Sequence, residues 1–175
     1  LATGDLDGDG RLDIVATSWG RNTDYHATQD RPLLLLFGFF GERGRPNVLL
    51  AQEDPRIGGV APLTTFARLG LALPSVAERL RTFAAYADAN MDQVLGPLAP
   101  GAIRLGATTM DHMVFLNRGD RFEARSLPLE AQCAPAFYAG VADFDGDGTE
   151  DLVLSQNFFA TEVATPRYDA GRSLL

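Results

Sequence analysis

The sequence predicts an all-β fold in which about three loop-and-strand repeats are interrupted by a helical insertion. Three observations carry this. Two stretches, Asp5-Leu-Asp7-Gly-Asp9-Gly10-Arg11-Leu-Asp13 and Asp143-Phe-Asp145-Gly-Asp147-Gly148-Thr149-Glu-Asp151, share the pattern D-x-D-G-D-G-x-x-D. Each is followed by a short β-rich run, Ile14-Val15-Ala16-Thr17 and Leu152-Val153-Leu154-Ser155. Between residues 60 and 100 the apolar period becomes helical. The chain thus divides into residues 1–59 with one acidic loop and one decayed loop, the insertion at 60–100, and residues 101–175 with the second acidic loop and a C-terminal tail.

Taken in order, the first acidic loop and its strand fill residues 5–17. Arg31 to Phe37 reads as a buried strand. Phe39 to Asn47 is a decayed third copy: Gly44 keeps the sixth position and Asn47 stands for the ninth-position Asp. Phe39, Gly41 and Arg43 replace the other acids, and Arg43 puts a cation where a metal would sit. Val48 to Ala51 is its strand. Residues 62–73, bounded by Pro62 and Pro74, predict one helix. Ser75 to Glu78 reads as a capping box for a second, with Val76, Leu80, Phe83, Ala84 and Ala87 on one face. Asn90 to Gln93 repeats the capping pattern, with Gly96-Pro97 as a stop, so the Asp88–Asp92 acids are capping residues and not a metal loop. Met113–Asn117 and Phe122–Leu127 flank a tight Arg118-Gly119-Asp120 turn as a hairpin. Phe137 to Ala142 leads into the second acidic loop. Hairpin and flanking strands together amount to one four-stranded sheet, which makes the second loop the better supported of the two.

The acidic loops point to a hard cation. Carboxylates at the first, third, fifth and ninth positions converge only on a tightly curled backbone, which the sixth-position glycine permits. The seventh-position carbonyl, on Arg11 or Thr149, adds a further oxygen. With neither His nor Cys in either loop, the donor set suits Ca²⁺ over zinc. Asp-Gly-rich loops are also good turns, but a turn alone does not call for an acid at the ninth position. An EF-hand is excluded, because position twelve is Ala16 or Leu154 and strands follow instead of helices.

Composition removes other classes. The formal charge is −8, from 15 basic and 23 acidic residues, which speaks against nucleic acid. Every basic residue is Arg, so Schiff-base lysine chemistry and a Walker-type phosphate loop are absent from this chain. The single cysteine, Cys133, forms no internal disulfide and reads as a small half-buried residue. The longest apolar run, Leu33 to Phe40, is far too short to span a bilayer. No G-x-S-x-G occurs, and the Asp111-His112 pair reads as a strand entry more than as acid–base machinery. Trp19 and Tyr25 read as packing residues ahead of a glycan-stacking face. Arg118-Gly119-Asp120 spells a tripeptide that integrins recognise, but a hairpin turn explains it. With a repeat already under way at residue 5, the chain reads as a piece of a longer protein.

Thr3-Gly4-Asp5 through Thr17, and Gly140-Val141-Ala142-Asp143 through Ser155, resemble the FG-GAP/VCBS repeats of integrin α-subunit β-propellers and of secreted bacterial propeller proteins. Val114 to Phe122 is similar to the family's hairpin upstream of its calcium loop. The likeness covers roughly residues 1–59 and 101–160. It implies a partial β-propeller of about three blades' worth of repeats, short of the four to eight that close a ring. It also implies two Ca²⁺ sites, held by Asp5, Asp7, Asp9 and Asp13 and by Asp143, Asp145, Asp147 and Asp151. The expected role is a non-catalytic extracellular, cell-surface or periplasmic segment that binds a protein or glycan ligand alongside the rest of its own propeller. The alternative is a scaffold part of a secreted carbohydrate-active enzyme.

Overall fold

In the computed structural model, which describes residues 1–41, 44–161 and 165–172, ten strands pair antiparallel into three open sheets. The strands are β1 (Ala2–Gly4), β2 (Asp13–Ala16), β3 (Leu33–Gly38), β4 (Asn47–Asp54), β5 (Gly59–Pro62), β6 (Ile103–Ala107), β7 (Met113–Asn117), β8 (Phe122–Ser126), β9 (Ala136–Ala142) and β10 (Asp151–Gln156). Four short helices lie between β5 and β6: α1 (Phe66–Ala72), α2 (Pro74–Leu80), α3 (Phe83–Ala87) and α4 (Met91–Leu95). No helix among the described residues is long and apolar enough to cross a membrane.

The chain folds as two compact units, Leu1–His26 with Met110–Leu175, and Ala27–Thr109. The divisions expected at 59/60 and 100/101 both fall inside the second unit, which holds the decayed loop and all four helices.

In the first unit β1-β2-β7-β8 form one sheet and β9-β10 a two-stranded sheet. This corrects the grouping expected from sequence. The β7–β8 hairpin, closed over a turn in which Gly119 has φ 87°, pairs through β7 with β2 and not with β9. The first acidic loop therefore has the four-stranded support that was expected for the second. Sequence spacing placed the hairpin next to β9, but strand pairing follows hydrogen-bonding edges, and β2 offered one. The core here is small and alanine-rich: Val15, Ala131, Ala136, Ala139 and Leu154. An apolar cleft of about 640 Å³ remains beside it, walled by Leu6, Val114, Leu116, Leu127 and Leu152. Trp19 meets Tyr25, Phe158 and Tyr168 edge-on, with ring centroids 5.5, 5.4 and 5.9 Å away, so Trp19 and Tyr25 do pack as expected.

In the second unit the sheet order is β5-β4-β3-β6. One face carries Leu36, Leu49 and Ala51, which cluster with Leu69, Leu73, Val76, Tyr86, Met91, Val94 and Leu95 from the helical segment. Phe40, from the decayed loop, joins this core at 4% exposure. Three helix expectations need correction. Residues 59–62 are strand, so the first helix starts only at Phe66. The next begins at Pro74, whose missing N–H suits the first turn, and no side chain caps it, so the Ser75–Glu78 box does not form. The single apolar face through Ala87 breaks at Arg81, where φ of 60° ends α2. Val76 is buried, but Phe83, in the separate helix α3, is 70% exposed. The Asn90–Gln93 capping box forms as read, and Gly96, at φ 57°, stops α4.

Candidate metal centre

All three repeat loops close antiparallel hairpins in the same register. Gly4 faces Asp13 across residues 5–12, Gly38 faces Asn47 across 39–46, and Ala142 faces Asp151 across 143–150. The ninth residue is therefore the first residue of each returning strand. Its side-chain oxygen reaches back to the second residue's amide: Leu6 N–H donates to Asp13 Oδ2 at 3.0 Å and Phe144 N–H to Asp151 Oδ2 at 3.0 Å. In the decayed copy Phe40 and Gly41 N–H both donate to Asn47 Oδ1 at 3.2 Å. Asparagine keeps this clamp because an amide oxygen accepts as a carboxylate does. The ninth position thus has a turn-closing role of its own, which an amide fills as well as a carboxylate. Glu42 and Arg43 of the decayed loop, including the cation expected at its fifth position, lie outside the described residues.

The two acidic loops share more than the clamp. The first-position carboxylate accepts from the fifth and sixth amides: Asp9 and Gly10 donate to Asp5 at 2.9 and 2.8 Å, and Asp147 and Gly148 to Asp143 at 3.1 and 3.0 Å. The fifth-position carboxylate accepts from the seventh amide, Arg11 to Asp9 at 3.0 Å and Thr149 to Asp147 at 2.7 Å. Arg11 and Thr149, singled out for their carbonyls, enter this web through their amides. The sixth-position glycines, Gly10 at φ 81° and Gly148 at φ 90°, supply the left-handed backbone that the curl needs.

The curled loops bring carboxylates close to one another. Asp5, Asp7 and Asp13 in the first loop each offer an oxygen within 4.8 Å of the others', and so do Asp143, Asp145 and Asp147 in the second. Asp9 and Asp151 complete the sequence-derived sets but lie outside these triplets. Asp9 is drawn to the Arg11 guanidinium. Asp151 is engaged by the clamp. Asp13 is fully buried, and its second oxygen accepts from Asn117 N–H at 2.7 Å. Hard oxygens alone line both triplets, a donor set that fits a hard divalent cation of calcium's kind.

The loops differ in their neighbours. The first is knitted to the β7–β8 turn: besides the Asp13–Asn117 bond, Asn117 Nδ2 donates to Leu12 O at 3.2 Å and Arg11 Nε to Asn117 O at 2.8 Å. Arg118 Nη1 lies 2.5 Å from Asp7 Oδ2. Glu150, in the second loop, accepts from Asp5 N–H and so links the two loops. Asn117, Arg118 and Glu150 were not singled out as loop partners from sequence. Arg118 is 111 residues from Asp7, and no local pattern marks that pairing.

His112, the expected strand-entry residue, is fully buried and doubly bonded. Its Nδ1 accepts from Ser18 N–H at 2.8 Å, and Nε2 faces Ala134 O at 2.9 Å, which fixes the neutral tautomer protonated at Nε2. Burial holds its pKa below the ordinary value, against the opposing pull of the Ala134 bond and Asp111. A two-pronged bond from Arg21, at 2.9 and 2.6 Å, keeps the Asp111 carboxyl below the usual range. The Cys133 thiol is half-buried and free of a disulfide. Comparison with protein-family models, curated proteins and solved structures returns no match to this chain.

Proposed function

We propose that this chain is a calcium-stabilised, non-catalytic segment of a β-propeller of the FG-GAP/VCBS kind, serving extracellular binding, adhesion or scaffolding. The observation that carries the reading is that three carboxylates come together in each of two loops that close hairpins of the same register and share an amide web. The alanine-rich core of the first unit supports it, since in a unit with little apolar burial an ion's contribution is a larger share of the total stability. Asp5, Asp7 and Asp13 hold one ion and Asp143, Asp145 and Asp147 the other, and Asp9 and Asp151 hold the loops in shape. Loops of a weak, extracellular type fill at roughly 10⁻⁴–10⁻³ M calcium, and that range supports the reading of a protein working outside the cytosol.

Calcium titration by calorimetry, paired with thermal unfolding in chelator and in millimolar calcium, tests the proposal. Two sites are expected. At free calcium tenfold above a site's Kd, each contributes about 1.4 kcal/mol of stability. Asp147→Ala removes one site and about half of the rise in Tm. Absence of both heat and a Tm shift sinks the reading. A third site lost in Asn47→Ala would sink the repeat register.

A further inference from the structure

The first loop already holds a positive charge. Arg118 Nη1 stands 2.5 Å from Asp7 Oδ2 and 3.5 Å from Asp9 Oδ2, and its Nε donates to Glu123 Oε2 at 3.0 Å. The Arg118 and Asp7 side chains are only 25% and 26% exposed, so water screens this pair incompletely. Asp7 is one of the three carboxylates gathered in the first loop. A divalent ion at that triplet and the guanidinium therefore both draw on the Asp7 carboxylate. The second loop has the same amide web, but among the described residues no arginine stands within ion-pair distance of its Asp residues.

We propose that Arg118 is the resident counter-cation of the first loop and that a divalent cation binds there by displacing it. Occupancy of this loop then weakens the ion pair that pins the 118–120 turn to it. The inference rests on the metal reading above and deepens it: the loops are unequal, and the first couples its ion to the β7–β8 hairpin. Coupling of this kind is reciprocal, so the factor by which Arg118 weakens the cation is the factor by which the cation loosens Arg118. Glu123 retains the freed guanidinium through Nε, so the turn shifts its anchor and stays folded.

The experiment is a calcium titration of the 175-residue chain carrying Asp147→Ala, which leaves only the first loop to read. Adding Arg118→Gln is expected to tighten the first-loop Kd about tenfold, within the usual range for coupled sites. Glu123→Gln, which spares the Asp7 pair, changes it far less. In the wild-type chain, NMR should show the Arg118 Nε–H resonance moving in step with the Asp9 and Gly10 amides and not with those of Gly146 to Gly148. This second readout needs no variant to fold. An unchanged or weaker first-loop Kd in Arg118→Gln overturns the inference, as does an Arg118 resonance that stays still while the first-loop amides move. If the second loop of the wild type binds calcium in either case, only this inference fails. If neither loop binds calcium in any variant, the metal reading fails with it.

Discussion

Asp13 serves both the architecture of the first loop and its proposed ion, and removing it in chelator isolates the architectural part. It is wholly buried, has no basic partner within ion-pair distance among the described residues, and accepts from two backbone amides, Leu6 at 3.0 Å and Asn117 at 2.7 Å. One bond closes the loop and the other ties it to β7. Asp13→Ala leaves both amides without an acceptor. A hydrogen bond to a charged group is worth about 1.5–3 kcal/mol, so losing two costs about 3–6 kcal/mol. Release of a buried carboxylate from its desolvation penalty offsets part of this, leaving about 2–3 kcal/mol. Asp151→Ala removes one such bond from a half-exposed position, at a cost of about 1 kcal/mol. Asp13→Asn keeps one accepting oxygen and falls between them. The assay is urea unfolding followed by far-UV circular dichroism in chelator, with hydrogen exchange at the Leu6 and Asn117 amides. Both amides should lose protection in Asp13→Ala, and Leu6 or Asn117 alone in Asp13→Asn. Negligible cost for both Asp13→Ala and Asp151→Ala without calcium would refute the view that the ninth residue is a clamp in its own right, and equal costs would refute the added contribution of the Asn117 bond.

Two further outcomes follow from the first unit. Because His112 is held neutral below its ordinary pKa, the unfolded chain takes up its proton first as pH falls, so stability drops below about pH 6.5 with a slope of at most about 1.4 kcal/mol per pH unit. His112→Gln should flatten that slope in chelator between pH 6.5 and 5; an unchanged slope assigns the effect to other groups. A methyl at Gly4 would overlap Val141 Cγ1 and Glu150 Oε2, so Gly4→Ala should cost about 1–3 kcal/mol in urea unfolding and disturb the second loop's amide shifts as well as the first's. A shift confined to the first loop would show that Glu150 does not couple them.

Local signals in this chain were legible and long-range ones were not. The acidic loops, their returning strands, the Arg118-Gly119-Asp120 turn and the Asn90 capping box each depend on residues within a few positions of one another, and each is present. The decayed copy was found through Gly44 and Asn47, although the reason Asn47 persists, its grip on Phe40 and Gly41, is visible only in three dimensions. The partner of the β7–β8 hairpin was misread because adjacency in sequence says nothing about which edge a strand will use. The helical face through Phe83 failed because periodicity carries on through a residue such as Arg81 whose backbone does not. At the site, the roles of Arg118 and Glu150 leave no mark on spacing, because an ion pair or a hydrogen bond to a backbone amide can span more than a hundred residues.

The aromatic cluster around Trp19 has an optical consequence. Trp19 is the only tryptophan in the chain, and its three ring neighbours all belong to the same compact unit. Excitation at the red edge of indole absorption therefore illuminates the unit that contains both acidic loops and leaves the other dark. The dark unit has a separate spectral handle in Tyr86, whose phenol donates to Thr64 O at 2.6 Å and is pushed by burial up to about 12. Its phenolate absorbance will emerge only at strong alkalinity or when that unit opens. Indole fluorescence thus reports on the unit that holds both acidic loops, and the late phenolate of Tyr86 adds a signal from the other.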